Sequence, residues 1–265
     1  MQIEIIIIGI LAGLFAGMFG VGGGIVIIPA LVLVLGWDMH LAAGTSLATL
    51  LMPVGFLALL QYKRANLLYL KGSAFIALGI IFGNIAGSTI ALNVDGTILK
   101  QLFGLFLTTL GIKQSQLFAF FRKKNIENNN ETQTENSIKL HGIKNYILIA
   151  IGIVTGILAG LFGIGGGIII TTVLIGIYKI NPKQAVAMSL SAMFLPVGIG
   201  GVLLYNEYSY VNIWAAVIMA VGMEIGSAVS AKFAILLNAN LLSRLFGLVL
   251  IIVGLYFIFQ RYIFS

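Results

Sequence analysis

Two glycine-broken apolar segments, 143 residues apart, constrain this chain more than any other feature. Residues Gly9–Ile28 read GILAGLFAGMFGVGGGIVII and residues Gly152–Thr171 read GIVTGILAGLFGIGGGIIIT, with 12 of 20 paired positions identical. The register then holds without a gap. Pro53 pairs with Pro196, Gly83 with Gly226, Gly104 with Gly247 and Gly111 with Gly254. Self-similarity at a fixed offset is the mark of an internal repeat, so the chain reads as two copies of one unit.

Composition says where those units live. The 265 residues are 60% apolar and only 9% charged, with a mean hydropathy of +1.09. A soluble domain carries roughly 25% charged residues. Too few polar groups remain to cover a water-facing surface, and apolar runs of about 20 residues recur along the chain, as membrane spans require. The runs are continuous rather than alternating, which excludes a barrel, and backbone groups in lipid must be satisfied within the segment. The expected fold is therefore all-α, a polytopic membrane helical bundle in the cell membrane. With no cysteine in the chain, thiol chemistry and Cys-ligated metal are excluded. The net charge of +7 lies mostly beside the apolar runs, where positive-inside topology accounts for it without nucleic acid.

Each half holds four apolar blocks: 3–35, 41–62, 68–92 and 97–121, then 146–178, 185–205, 211–237 and 240–259. Residues 1–121 form the first repeat and 146–265 the second. Residues 122–145, polar and Asn-rich, read as a cytoplasmic linker. About 33 residues in one helix would span roughly 50 Å, far more than a hydrocarbon core of about 30 Å. The glycine run Gly20, Gly22, Gly23, Gly24 interrupts the first block, so it divides into helices at about 3–19 and 24–35, folded back as a re-entrant hairpin. Gly163, Gly165, Gly166 and Gly167 repeat this in the second half. With the hairpin, Lys63, Arg64, Lys71, Lys113, Lys179, Lys183 and Arg244 all fall on the cytoplasmic side. That leaves an odd number of spans per half and favours inverted over parallel repeats.

Duplicated, glycine-interrupted segments at matching places are the best pointer to a transporter binding region. A glycine series opening a helix bares N–H groups at the positive end of the dipole, an anion site without a charged side chain. Gly9, Gly13 and Gly17, like Gly152, Gly156 and Gly160, are spaced by four and suit helix packing instead. Thr45, Ser46 and Ser189 precede Pro53 and Pro196, which are expected to kink the second block of each half. Their hydroxyls serve either a ligand or the freed backbone. Asn84 and its counterpart Ser227 are candidate polar lining, and Glu224, midway along an apolar block, is a candidate for proton coupling. His40 and His141 fall in expected loops. No catalytic triad, metal-ligand spacing or phosphate loop is present, so the reading holds no enzyme, no cofactor and no metal.

The twin segments, ending GxFGxGGGxxxxP over Gly17–Pro29, resemble the sulfite exporter TauE/SafE family over nearly the whole chain. Thr172 stands where the second copy would carry the matching proline. The resemblance implies a secondary transporter of sulfite, a sulfonate or a similar sulfur-containing anion. Its partners would be a small anionic substrate, the lipid bilayer and a coupling proton or cation. A passive anion channel is the alternative reading.

Overall fold

The structure is a computed structural model, and it describes residues 2–19, 22–52, 56–64, 67–114, 143–178, 180–233 and 239–263. Twelve helices and no strand are found among them. In the first half they are α1 (Gln2–Phe19), α2 (Gly24–Val34), α3 (Met39–Leu51), α4 (Phe56–Arg64), α5 (Leu70–Leu92) and α6 (Gly96–Gln114). The second half holds α7 (Asn145–Phe162), α8 (Gly167–Gly176), α9 (Pro182–Met193), α10 (Ile199–Glu207), α11 (Ile213–Phe233) and α12 (Ala239–Ile263). Three segments, Leu70–Leu92, Asn145–Phe162 and Ile213–Ser230, are long and apolar enough to cross a membrane. Large apolar side chains such as Phe82 on α5, Val154 on α7 and Trp214 on α11 are exposed, as lipid-facing groups would be.

Helix boundaries follow local chemistry. The first apolar block divides where its glycines lie, α1 ending at Phe19 and α2 starting at Gly24. Asp38 caps α3 by accepting a bond from His40 N–H at 2.8 Å. Asn181, at the matching position, caps α9 by accepting from Lys183 N–H at 2.9 Å, with Pro182 opening the helix. His40 is thus in the first turn of α3 and buried, not in a loop, because the Asp38 cap starts the helix before it. The second block also departs from expectation. Pro196 does not kink one continuous helix; it lies exposed in the turn between α9 and α10. A proline offers no N–H to the preceding turn and clashes with it, so two short helices replace one. Pro53 lies outside the described residues, as do Gly20, His141 and nearly all of the linker.

Packing groups the helices into two units, each drawing on both halves of the sequence. One comprises Met1–Asn93 and Thr132–Lys232; the other comprises Val94–Glu131 and Phe233–Ser265. In the larger unit, glycines let backbones touch. A Cβ on Gly9 or Gly13 of α1 would strike the backbone of Met219 or Met223 on α11, and one on Gly152 or Gly156 of α7 would strike that of Ile76 or Ile80 on α5. Each of these contacts is matched by another 143 residues away at both partners. In the smaller unit α6 packs on α12, with Gly104 against Gly254, Gly111 against Gly247, and Phe103 against Phe257 at 6.1 Å.

Candidate functional site

The second glycine run unwinds the chain fully. Gly163, Gly165 and Gly166 take φ of 77°, 73° and 84°, a region that costs any residue with a Cβ. Gly163 N–H closes the last turn of α7 on Ala159 O at 2.7 Å. Side chains from three other helices satisfy the carbonyls there. Tyr205 of α10 donates to Gly160 O at 3.1 Å, Ser88 of α5 to the same oxygen at 3.4 Å, and Ser46 of α3 to Gly163 O at 2.7 Å. Helix α8 then begins, with Ile169 and Ile170 N–H donating to Gly166 O at 3.0 and 3.2 Å. The N–H groups of Gly167 and Ile168 precede the first such bond and find no partner among the described residues.

In the first run, Gly22, Gly23 and Gly24 are described. Gly22 has φ of 70°, but Gly23 is already helical at φ −66° and accepts from Val26 and Ile27 N–H at 2.9 and 3.0 Å. The two runs are in contact. A Cβ on Gly24 would lie 2.6 Å from Ile164 Cα and 2.7 Å from Gly163 O, and one on Gly22 would lie 3.4 Å from Ile164 O. The start of α2 therefore rests on the break between α7 and α8.

A cavity of about 20 Å³, room for about one water molecule, opens beside the second run. Leu47, Leu50, Ile80 and Met193 supply apolar walls, with Gly165 and Asn84 beside them. Asn84 is 1% exposed; its Oδ1 accepts from Gly201 N–H at 2.9 Å, and its Nδ2 has no partner. Among the described residues, no charged side chain lines the cavity. A small, mostly apolar space beside a buried donor without a partner suits a small solute that accepts hydrogen bonds.

Comparison with known proteins identifies the family. The profile of the family described as Sulfite exporter TauE/SafE matches residues 5–257. The chain belongs to that family. Among TauE/SafE-like relatives, a probable membrane transporter protein of Methanocaldococcus jannaschii is 28% identical over 269 residues, covering 95% of this chain and 93% of the relative. One from Xylella fastidiosa is 29% identical, covering 96% and 94%, and YunE of Bacillus subtilis is 26% identical, covering 97% of each. No solved structure matches. This TauE/SafE chain is thus a membrane transporter, not an enzyme.

The sequence-derived candidates of this TauE/SafE protein fall into two groups. Gly22, Gly23, Gly24, Gly163, Gly165, Gly166 and Gly167 come together, and Asn84 joins Gly165 at the cavity. Both paired serines turn to the second run, Ser46 to Gly163 O and Ser189 to Gly167 O at 3.3 Å, so their hydroxyls hold backbone there. Thr45 accepts from Asn212 N–H at 3.0 Å. Ser227 donates to Glu224 O at 3.0 Å on α11, and neither residue lines the cavity. Sequence reasoning missed Gly201 and Tyr205. Tyr205 had a usable signal: Tyr62 occupies the matching position. Gly201 had none, since its role depends on a contact 117 residues away.

Proposed function

We propose that this protein is a secondary transporter of a small sulfur-containing anion such as sulfite or a sulfonate. Two inverted repeats, each opening with a re-entrant hairpin, would alternate access to an anion held at the paired starts of α2 and α8. The observation that carries this is the contact between the two glycine runs, each opening a helix whose first N–H groups lack intrahelical partners. Supporting it, the α1–α11 and α7–α5 crossings correspond residue for residue under the repeat offset, as a two-fold related pair of units requires. Helix dipoles and bare amides stabilise negative charge without a buried cation. The chain carries no nucleotide-binding motif, so a gradient would supply the energy, with Glu224 as the candidate proton carrier.

Flux of labelled sulfite into proteoliposomes, driven by an imposed pH step, tests the reading. Saturable uptake above the equilibrium level is expected, and Glu224→Gln should abolish the pH-driven component. Conductive flux without response to the pH step would favour the channel alternative. Absence of binding and flux for every small sulfur oxyanion would overturn the proposal.

A further inference from the structure

We infer that Asn84 sets selectivity at this site, admitting an oxyanion face that only accepts hydrogen bonds and rejecting one that carries a proton. The inference rests on the transport reading above. Its starting point is the orientation of the carboxamide. Gly201 N–H can only donate, so the Asn84 atom 2.9 Å away must be the oxygen. The opposite end is then –NH2, two donors and no acceptor. That nitrogen is buried without a partner, on a residue 1% exposed that lines the cavity. A native protein rarely leaves such a group unmatched unless something else fills the role.

The amide cannot turn over to hide its donors. A Cβ on Gly156 would lie 2.8 Å from Asn84 N, and one on Gly160 would strike Asn84 O, so α7 grips the α5 backbone at this residue. On the other side, Gly201 is so close that a Cβ there would strike Asn84 Oδ1 and Ser88 Oγ. Flipping the amide would set Nδ2 against Gly201 N–H, donor against donor. The other side chains named at the cavity, Leu47, Leu50, Ile80 and Met193, offer no strong acceptor. A ligand O–H or N–H directed at Asn84 Nδ2 would meet a donor instead of an acceptor, which is how a site built for one hydrogen-bonding pattern discriminates against its inverse. The matching residue, Ser227, donates to Glu224 O, so the selecting group comes from one half only. Leu50 and Met193, whose ends would lie 2.6 and 2.8 Å from a Cβ on Gly165, must rotate for anything larger than water to enter.

Methanesulfonate and methylphosphonate monoanion test this. At about pH 5 both carry one negative charge and similar shape, but the phosphonate bears an O–H. In competition for binding of labelled methanesulfonate to the purified full chain, unlabelled methanesulfonate should be favoured over methylphosphonate by at least about tenfold. Asn84→Asp keeps an oxygen for Gly201 and replaces the free donor end with an acceptor. The preference should collapse or reverse, with the unliganded melting temperature serving as the folding check. Asn84→Ser, the residue found at position 227, is the second variant and should fall between. Unchanged preference in either folded variant overturns the inference while leaving transport standing. No competition by any anion in the unaltered protein would instead remove the transport reading itself.

Discussion

The two glycine runs share the pattern Gly-x-Gly-Gly-Gly, yet they do different things in the folded chain. In the second, three glycines are left-handed and the helix is interrupted over four residues, Gly163–Gly166. In the first, Gly23 is already helical and only Gly22 is left-handed among the described residues. Their surroundings explain the difference. A Cβ on Gly166 would strike Thr155 Cγ2, whereas one on Gly23 would strike Met223 Cε and lie 3.1 Å from Ala12 Cβ. Thr155 and Ala12 occupy matching positions in the repeats, as do Met223 and Ile80. Gly23 and Gly166 thus differ in backbone where their neighbours differ in sequence. At the third glycine of each run, Gly23 sits in a helical conformation against Met223 and Ala12, while Gly166 sits in a left-handed one against Thr155.

The largest effect of breaking this comparison is expected at Gly166. Gly166→Ala meets two penalties at once: a left-handed backbone, worth about 1–2 kcal/mol, and overpacking against Thr155, worth about 1–3 kcal/mol. Melting temperature in detergent should fall further than for any other single alanine in the two runs that faces only a side chain. Thr155→Ser removes the opposing methyl and should restore the steric part but not the conformational part. Full restoration would show that the left-handed conformation at Gly166 carries no cost.

At Gly23 the penalty is steric alone, and its partner is the end of a flexible thioether. Gly23→Ala should therefore cost about 1 kcal/mol, at the low end of overpacking. In a double-mutant cycle the substitution should cost less in a Met223→Ala background than alone, even though Met223→Ala is itself destabilising. The cycle reads the shared contact directly. Equal losses at Gly23 and Gly166, with no coupling to Met223, would break the distinction between the two runs.

Much of this was legible in the residues, and what was hidden has a physical reason. Glycine in series breaks a helix whatever surrounds it, so the boundary at Gly24 and the second break at Gly163–Gly167 could be placed from sequence. The break at Pro196 was masked because Leu195 and Val197 continue the apolar run on both sides of it. Hydropathy cannot tell a kink from a stop. At the site, Asn84 stood out as an amide in an apolar block, but its fixed orientation depends on Gly201, which no local pattern connects to it. Ser46 and Ser189 could have faced a ligand or a carbonyl. That choice is made by the position of Gly163 and Gly167 carbonyls, which belong to other helices. Divergence between the runs was invisible for the same reason: identical glycines leave the backbone undecided until Thr155 and Met223 pack against them.

Gly36 isolates the remaining variable and should give the smallest effect. It joins α2 to α3 with φ of 67°, and a Cβ built there meets nothing within 4 Å. Only the left-handed conformation resists substitution, so Gly36→Ala should cost about 1 kcal/mol. Asn tolerates this region better than Ala through local hydrogen bonding, and Gly36→Asn should cost less. Sulfite flux should be unchanged in both, because the residue is exposed and apart from the cavity. Subtracting the Gly36→Ala loss from that of Gly166→Ala leaves the part due to Thr155, which the Thr155→Ser background measures independently. If the two values disagree beyond experimental error, the break between α7 and α8 is held by something other than a left-handed backbone and a threonine methyl.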